Sequence, residues 1–322
     1  MLTPLTTPFL SIRNLAVRFP VRSESFFRGR SFYAVHHVSL DIFKKETFCL
    51  IGESGSGKTT LVWATLGLHP FQEGEIVFNG QSVKQTNDPV HQKLKSNAQI
   101  VFQDPAASLS PFLTLGQSIE EPLRARGVRK KEMAAIVERL AMQTGLSYEL
   151  LQRRPFEVSG GQNQRACIAR ALSTKPDILF LDEPLTALDA IVQRQVARLL
   201  YVMKEDYSFT YFLITHDLGL VKRIGTTVAV MYLGKIVEKA TKEDFFSSPC
   251  HPYSRALLSS VLKPGIWQGK RIVLEGQVPS PQTPPSGCVF HTRCPRRLPV
   301  CEKTRPAKKT VGAEHDVLCH LF

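Results

Sequence analysis

The chain has 322 residues, 43% hydrophobic and 21% charged, ordinary values for a globular protein able to bury a sizeable core. No run approaches the roughly 18 unbroken apolar residues of a membrane-spanning helix. The opening residues 1–15 lack a basic segment and a small-residue cleavage site, so no signal peptide is read and a cytoplasmic location is expected. The net charge of +13 comes from 41 Lys+Arg against 28 Asp+Glu. Part of it lies in the tail from Lys263 onward and part in the cluster Arg22, Arg28 and Arg30. Without a nucleic-acid-binding motif, that charge reads as a solvated face near a membrane, and no nucleic-acid partner is expected.

In chain order, strands are predicted at Phe9–Phe19, Thr47–Ile51, Glu75–Phe78, Gln99–Phe102, Ile178–Leu181, Tyr211–Thr215 and Thr227–Tyr232. Several are short continuous apolar runs, as in strands covered on both faces. Helical periodicity occupies Lys58–Leu68, Leu115–Ala125, Lys130–Met142, Gly161–Leu172 and Ile191–Met203. In the last of these, Ile191, Gln195 and Leu199 recur by fours beside Val192, Val196 and Leu200. The alternation implies an α/β domain with a mainly parallel sheet. Between Gln103 and Pro176 only helical patterns occur, which reads as a helical subdomain inserted over about 104–176. The division expected is 1–248 for the main domain and 249–322 for an extension. That extension holds a short helix candidate, His251–Leu262, a proline-rich linker, Val278–Ser286, and a Cys- and Arg-rich end.

The motif Gly52-Glu53-Ser54-Gly55-Ser56-Gly57-Lys58-Thr59-Thr60 follows the strand ending at Ile51 and opens a helix, the setting of a Walker A phosphate loop. Glycines let backbone N–H groups wrap a phosphate, and the helix aims its positive end at the same oxygens. Lys58 is placed to reach the β- and γ-phosphates, and the Thr59 hydroxyl to ligate Mg²⁺. A glycine-rich turn that merely ends a strand would not need the Lys-Thr pair. Downstream, the apolar run Ile178–Leu181 ends in Asp182-Glu183-Pro184. Asp182 suits the Mg²⁺ shell, and Glu183 suits the general base that polarises the attacking water. A carboxylate pair after a strand is by itself often a helix cap, and only the upstream loop makes this one chemical.

Between these lies Val158-Ser159-Gly160-Gly161-Gln162-Asn163-Gln164-Arg165, with Ser159 as a helix N-cap. It resembles the LSGGQ signature of ABC-transporter ATPases. The resemblance implies the P-loop NTPase fold of that family: a mainly parallel core sheet, an N-terminal antiparallel β region and an inserted helical subdomain. It implies ATP and Mg²⁺ as cofactors, with Thr59, Gln103 and Asp182 on the ion. Gln103 would be the Q-loop residue that senses the γ-phosphate and meets the membrane subunit, Ala187-Leu188-Asp189 the D-loop, and His216 the switch histidine. Phe19 matches the aromatic that stacks on adenine, with Tyr33 as a rival. Val158 and Asn163 depart from the usual Leu and Arg. Ser159, Gly160, Gly161 and Gln162 of one subunit would close over ATP held by the Walker A of another. With one motif set per chain, a second ATPase subunit is implied, together with two transmembrane permease subunits at the cytoplasmic membrane face and an external substrate-binding protein.

The segment Cys250-His251-Pro252-Tyr253-Ser254-Arg255-Ala256-Leu257-Leu258 and the tail around Gly287-Cys288 and Arg293-Cys294-Pro295 resemble ATPase subunits of dipeptide and oligopeptide permeases. That implies peptide import with a partner ATPase that is a distinct paralogue. Nickel and some sugar importers share these features. A non-transport ABC ATPase acting on nucleic acid would need a coiled-coil insertion or a second cassette, and the sequence has neither. Of seven cysteines, Cys49 and Cys167 read as packing residues. Cys288, Cys294, Cys301 and Cys319, with five, six and seventeen residues between them, supply four thiolates. The resemblance implies a [4Fe–4S] cluster, for which four cysteines are the usual ligand set. Zinc competes, with His291, His315 and His320 nearby, and free thiols are the third reading.

Overall fold

The apolar runs expected to be covered strands have no solvent-facing side: Thr47–Ile51, Ile178–Asp182 and Thr210–Ile214 are buried at every residue. The computed structural model describes residues 7–21, 31–83, 88–186, 188–207, 209–261 and 271–322. The Arg22/Arg28/Arg30 cluster, Ala187 of the expected D-loop and Leu262 lie outside the described residues. In chain order the strands are β1 (Leu10–Pro20), β2 (Ser31–Ile42), β3 (Thr47–Ile51), β4 (Glu73–Phe78), β5 (Gln81–Val83) and β6 (Ala98–Val101). They continue with β7 (Ile178–Asp182), β8 (Thr210–Ile214), β9 (Thr227–Tyr232), β10 (Lys235–Thr241), β11 (Lys308–Gly312) and β12 (His315–Leu318). They divide between two compact units, one of residues 1–94 and 214–322, the other of 95–213.

In the first unit an antiparallel sheet runs β2-β1-β4-β5. Its long pair has register shifts around Leu15 and Val17, with Asn14 and His37 in left-handed backbone conformations, the marks of bulges that bend the ribbon. β2 was not expected. Its sequence, SFYAVHHVSLDI, is buried only at alternate positions in its second half, so no continuous apolar run announces it. The unit also holds the order β11-β12-β10-β9-β3. β3 and β9 are parallel, pairing Phe48 with Thr227 and Ile51 with Val230. β9 turns into antiparallel β10 through Leu233-Gly234, both at positive φ (43° and 76°), as a two-residue hairpin of this hand requires. β10 and the short β11 and β12, also unexpected, are rich in charge. Their pairing brings the end of the chain into this unit, where Glu238 of β10 faces Val317 of β12.

In the second unit the strand order is β8-β7-β6, with β6 and β7 parallel and Phe180 stacked on Phe212 at 5.3 Å. The expected helices form at Leu115–Ala125, Lys130–Thr144, Gly160–Ser173 and Ala190–Tyr207. The last buries Val196, Leu200 and Met203, while Ile191 is exposed, so of the two adjacent rows the Val196 row faces inward. Gly161 lies against Val192, where a Cβ would come within 2.4 Å of the valine side chain. Among the described residues no helix is long and apolar enough to cross a membrane.

Candidate functional site

In the first unit the loop from Gly52 to Gly57 joins β3 to the helix Lys58–Thr65. Two glycines are dictated by close backbone. A Cβ on Gly52 (φ 154°) would lie 2.2 Å from the Met231 carbonyl oxygen, and one on Gly57 (φ 102°) 2.1 Å from that of Ala34. The β9–β10 hairpin braces the loop, since the Gly234 N–H donates to the Ser56 carbonyl at 2.9 Å and its own carbonyl accepts from the His36 N–H at 2.8 Å. No side chain caps the helix start, so the positive end of that helix is turned into the loop. Lys58 is only 5% exposed. Its Nζ donates to the carbonyls of Gly52 and Glu53, both at 2.9 Å, and lies 3.4 Å from Ser56 Oγ, so the ammonium sits folded across the loop. Ser54 and Gly55 are exposed, and Thr59 and Thr60 half-buried.

His216 is exposed just beyond β8, beside Asp217, which caps the next helix by accepting from the N–H groups of Gly219 and Leu220. Phe19 ends β1 and packs on His69 at 4.6 Å and Phe32 at 6.0 Å. The Tyr33 ring is already covered by the Arg18 guanidinium at 4.5 Å and by His36 at 4.4 Å.

The remaining sequence-predicted residues belong to the second unit. Gln103 is exposed two residues beyond β6, next to Asp104, which caps the helix Pro105–Ser108. Ser159 and Gln162 form a reciprocal capping box, with the Gln162 N–H donating to Ser159 Oγ at 3.3 Å and the Ser159 N–H to Gln162 Oε1 at 2.9 Å. Ser159 and Gly160 are exposed on that helix start, and Asn163 is buried, its amide donating to the Pro155 carbonyl at 2.8 Å. Asp182 is 3% exposed at the end of β7. Glu183 takes a left-handed backbone conformation (φ 49°), and its Oε2 accepts from the Thr186 hydroxyl at 2.9 Å. Such strain in a non-glycine residue is found where a side chain must be aimed. Asp189 caps the helix Ala190–Tyr207 through the N–H groups of Ile191 and Val192, both at 3.0 Å.

Three residues of the extension that sequence reasoning assigned no role touch the phosphate loop or its neighbours. The Tyr253 hydroxyl accepts from the Glu53 N–H at 2.8 Å, and Arg293 Nη1 donates to Glu53 Oε2 at 2.8 Å. Phe290 packs edge-to-face on Tyr232 at 5.2 Å. The sequence signal was present, because Tyr253 and Arg293 stand inside the segments quoted above for their resemblance.

The extension itself docks on Glu238. That carboxylate accepts from the N–H groups of Cys250 (2.7 Å) and His251 (2.8 Å), and the His315 ring lies 2.7 Å away. Burial alone would raise Glu238, but these bonds hold it below the usual carboxylate range. Cys288, Cys301 and Cys319 are buried and Cys294 half-buried. Burial, with smaller contributions from neighbouring Cys301, Cys319 and Cys294, pushes the Cys288 thiol up to about 11. Burial likewise raises the Cys294 and Cys319 thiols, and the Cys288 N–H donates to the Cys301 carbonyl at 2.8 Å, joining two of the four cysteine positions through their backbone. The Cys301 sulfur accepts the Leu298 N–H at 3.4 Å. Among the described residues, the ligand atoms lying within 4.8 Å of one another as a group of three are those of Glu238, Cys250 and His315.

Residues 35–186 match the ABC transporter family, and residues 237–301 match the C-terminal region of oligopeptide and dipeptide transporters. The chain is 42% identical over 319 residues to the oligopeptide transport ATP-binding protein AppF of Bacillus subtilis, covering 97% of each chain. It is 40% identical to the oligopeptide transport ATP-binding protein OppF of Escherichia coli, covering 96% of this chain and 95% of that one. Among solved structures, the dimeric ATP-binding cassette MJ0796 in a post-hydrolysis state bound to ADP and Pi superposes with a TM-score of 0.64 at 26% identity. That match covers 72% of this chain and 98% of the cassette.

Proposed function

The chain belongs to the ABC transporter ATP-binding proteins of the oligopeptide and dipeptide class, and from that premise we propose that it hydrolyses ATP to power peptide import as one of two paired ATPase subunits. The observation that carries the cargo class is the match of residues 237–301 to the C-terminal region of such transporters, inside a likeness that runs the length of the chain. The fold and the ATPase activity belong to the family as a whole. The residue roles rest on the motif resemblance and on the local geometry.

The Gly52–Thr60 loop holds the phosphates: its glycines leave backbone N–H groups room to approach, and Lys58 swings from the loop carbonyls to the phosphate oxygens. The motif resemblance assigns Thr59, Asp182 and Gln103 as the residues that would hold Mg²⁺, which would supply charge neutralisation to the phosphates. Glu183 takes the proton from the attacking water, and His216 holds the γ-phosphate. Phe19 carries the adenine by the motif resemblance, with Tyr33 as its rival, since each ring already has neighbours, His69 and Phe32 on the first and Arg18 and His36 on the second. Ser159, Gly160, Gly161, Gln162 and Asp189 serve the nucleotide of the partner subunit, which is a distinct paralogue. Asp104–Leu123 meets one of two permease subunits at the cytoplasmic membrane face, and Phe112, 82% exposed in this segment, offers an apolar contact there. A substrate-binding protein outside the membrane delivers the peptide.

Cys288, Cys294, Cys301 and Cys319, all free thiols, fit a metal centre by donor chemistry. A single zinc ion holds thiolates at about 2.3 Å and therefore draws them within about 4 Å of one another. The resemblance to the peptide-permease branch assigns a [4Fe–4S] cluster to Cys288, Cys294, Cys301 and Cys319, and four cysteines are the usual ligand set for one. Anaerobically purified chain should carry iron and acid-labile sulfide, both lost in Cys301→Ser. Zinc alone, or neither metal, would refute the cluster.

The transport reading is tested by ATP hydrolysis in the complex with its membrane subunits, with peptide-loaded binding protein added or withheld. Peptide should stimulate turnover, and Glu183→Gln should bind ATP but not turn over. Hydrolysis by Glu183→Gln at the parental rate would remove the general-base role. Stimulation by nickel or a sugar instead of peptide would overturn the cargo.

A further inference from the structure

Glu53 is the one acidic residue between β3 and Lys58. A carboxylate in a loop that receives a triphosphate opposes its ligand, and at such range the repulsion lies inside the Debye length of about 8 Å at physiological salt. The fold does not leave this charge open. Arg293, only 9% exposed, bonds the Glu53 carboxylate, which is 27% exposed. Its guanidinium is aimed by the Tyr232 hydroxyl at 3.5 Å and lies 6.0 Å from that ring. A second contact fixes the backbone of the same residue, through Tyr253. Tyr232, Tyr253 and Phe290 pack on one another with ring centroids 4.8–5.3 Å apart, so both contacts stand on a rigid aromatic base. Arg293 adjoins Cys294 and comes from a segment 240 residues downstream of the loop.

We infer that Arg293 is a positioning residue for ATP binding: by neutralising and orienting Glu53, it lets the C-terminal extension preset the phosphate loop. This rests on the reading of Gly52–Thr60 as the ATP site. An ion pair that only docked the tail would have no reason to target the loop's single carboxylate, nor to be joined by a hydroxyl on that residue's N–H. The charge argument gives it a signature that docking lacks. Removing the arginine exposes a carboxylate to the phosphates, and once the carboxylate is gone the arginine should matter little.

The test measures Mg-ATP affinity of the full chain by calorimetry for the parent, Lys58→Ala, Arg293→Ala, Glu53→Gln and the double variant Arg293→Ala/Glu53→Gln. Arg293→Ala should weaken ATP about tenfold, equivalent to about 1.4 kcal/mol. On the Glu53→Gln background the same arginine change should cost little further affinity, so the double variant should bind as Glu53→Gln does. In the assembled transporter, Arg293→Ala should raise KM for ATP while kcat changes little. A double variant about tenfold weaker than Glu53→Gln overturns the proposal and leaves the pair a tail anchor. Parental affinity in Arg293→Ala with a weakened Lys58→Ala also overturns it, while the ATP site stands. Parental affinity in both removes the ATP-site reading beneath it. Should Arg293→Ala fail to fold, Arg293→Gln/Glu53→Gln is compared with Glu53→Gln alone. Equal affinities support the proposal, and a tenfold loss overturns it.

Discussion

The phosphate loop and the C-terminal extension share one unit but are fixed by different physics. The loop is seven consecutive residues whose shape follows from backbone: glycines pressed onto the carbonyls of Met231 and Ala34, and a lysine folded over the result. The extension is held by side chains gathered from distant places, with Glu238 receiving residues 250, 251 and 315, and Tyr232 receiving 253 and 290. The first design leaves no room for an added atom at Gly52 or Gly57. The second depends on one buried carboxylate being satisfied by several partners at once.

The sharpest way to break this contrast is to add a methyl group to the loop. Gly57→Ala must place a Cβ against the Ala34 carbonyl and hold a left-handed backbone conformation. ATP affinity should fall at least a hundredfold, about 3 kcal/mol, while the extension stays docked. Near-parental affinity would mean that the backbone clash is relieved and the loop is less constrained than its contacts indicate.

Next in size is Glu238→Ala. It strands two N–H groups and the buried His315 ring, and removing one member of such a buried set costs about 3–5 kcal/mol. Urea unfolding should show that loss, and limited proteolysis should cut first beyond residue 248. A loss under 1 kcal/mol would show that β10–β12 pairing and the aromatic base hold the extension without the carboxylate.

The same contrast explains what the sequence made legible. The buried strands and the loop were readable because each is a contiguous pattern, and Thr47–Ile51 and Thr227–Tyr232 begin and end where their apolar runs do. β2 and β10 were not, because His36, His37, Glu238 and two lysines interrupt any run, and their pairing is decided by strands far off in the chain. Ser159 as a cap was visible in its own residue type. Arg293 and Tyr253 were visible only as parts of a resemblance, since nothing local links position 293 to position 53.

The smallest expected effect separates charge from packing at Glu238. The hydrogen bond to Glu238 raises His315 above its ordinary 6.5 despite burial, with Asp244 and Asp316 adding to the attraction. A group raised in the folded state stabilises fully below its unfolded value and loses that contribution as pH rises through the folded one. Glu238 is depressed, so its contribution is present above its ordinary 4.5 and lost as pH falls through its folded value. The pair is therefore strongest between roughly pH 4.5 and 6.5 and weakens on the alkaline side as the imidazole deprotonates. His315→Gln keeps a donor but no charge. Its stability deficit should be about 1.5–3 kcal/mol near pH 5.5, the range of a charge-assisted hydrogen bond, and should shrink by pH 9. A deficit constant from pH 5 to 9 would mean that His315 holds the extension without its charge, which would bring the docking of the extension closer to the close-packed backbone of the phosphate loop.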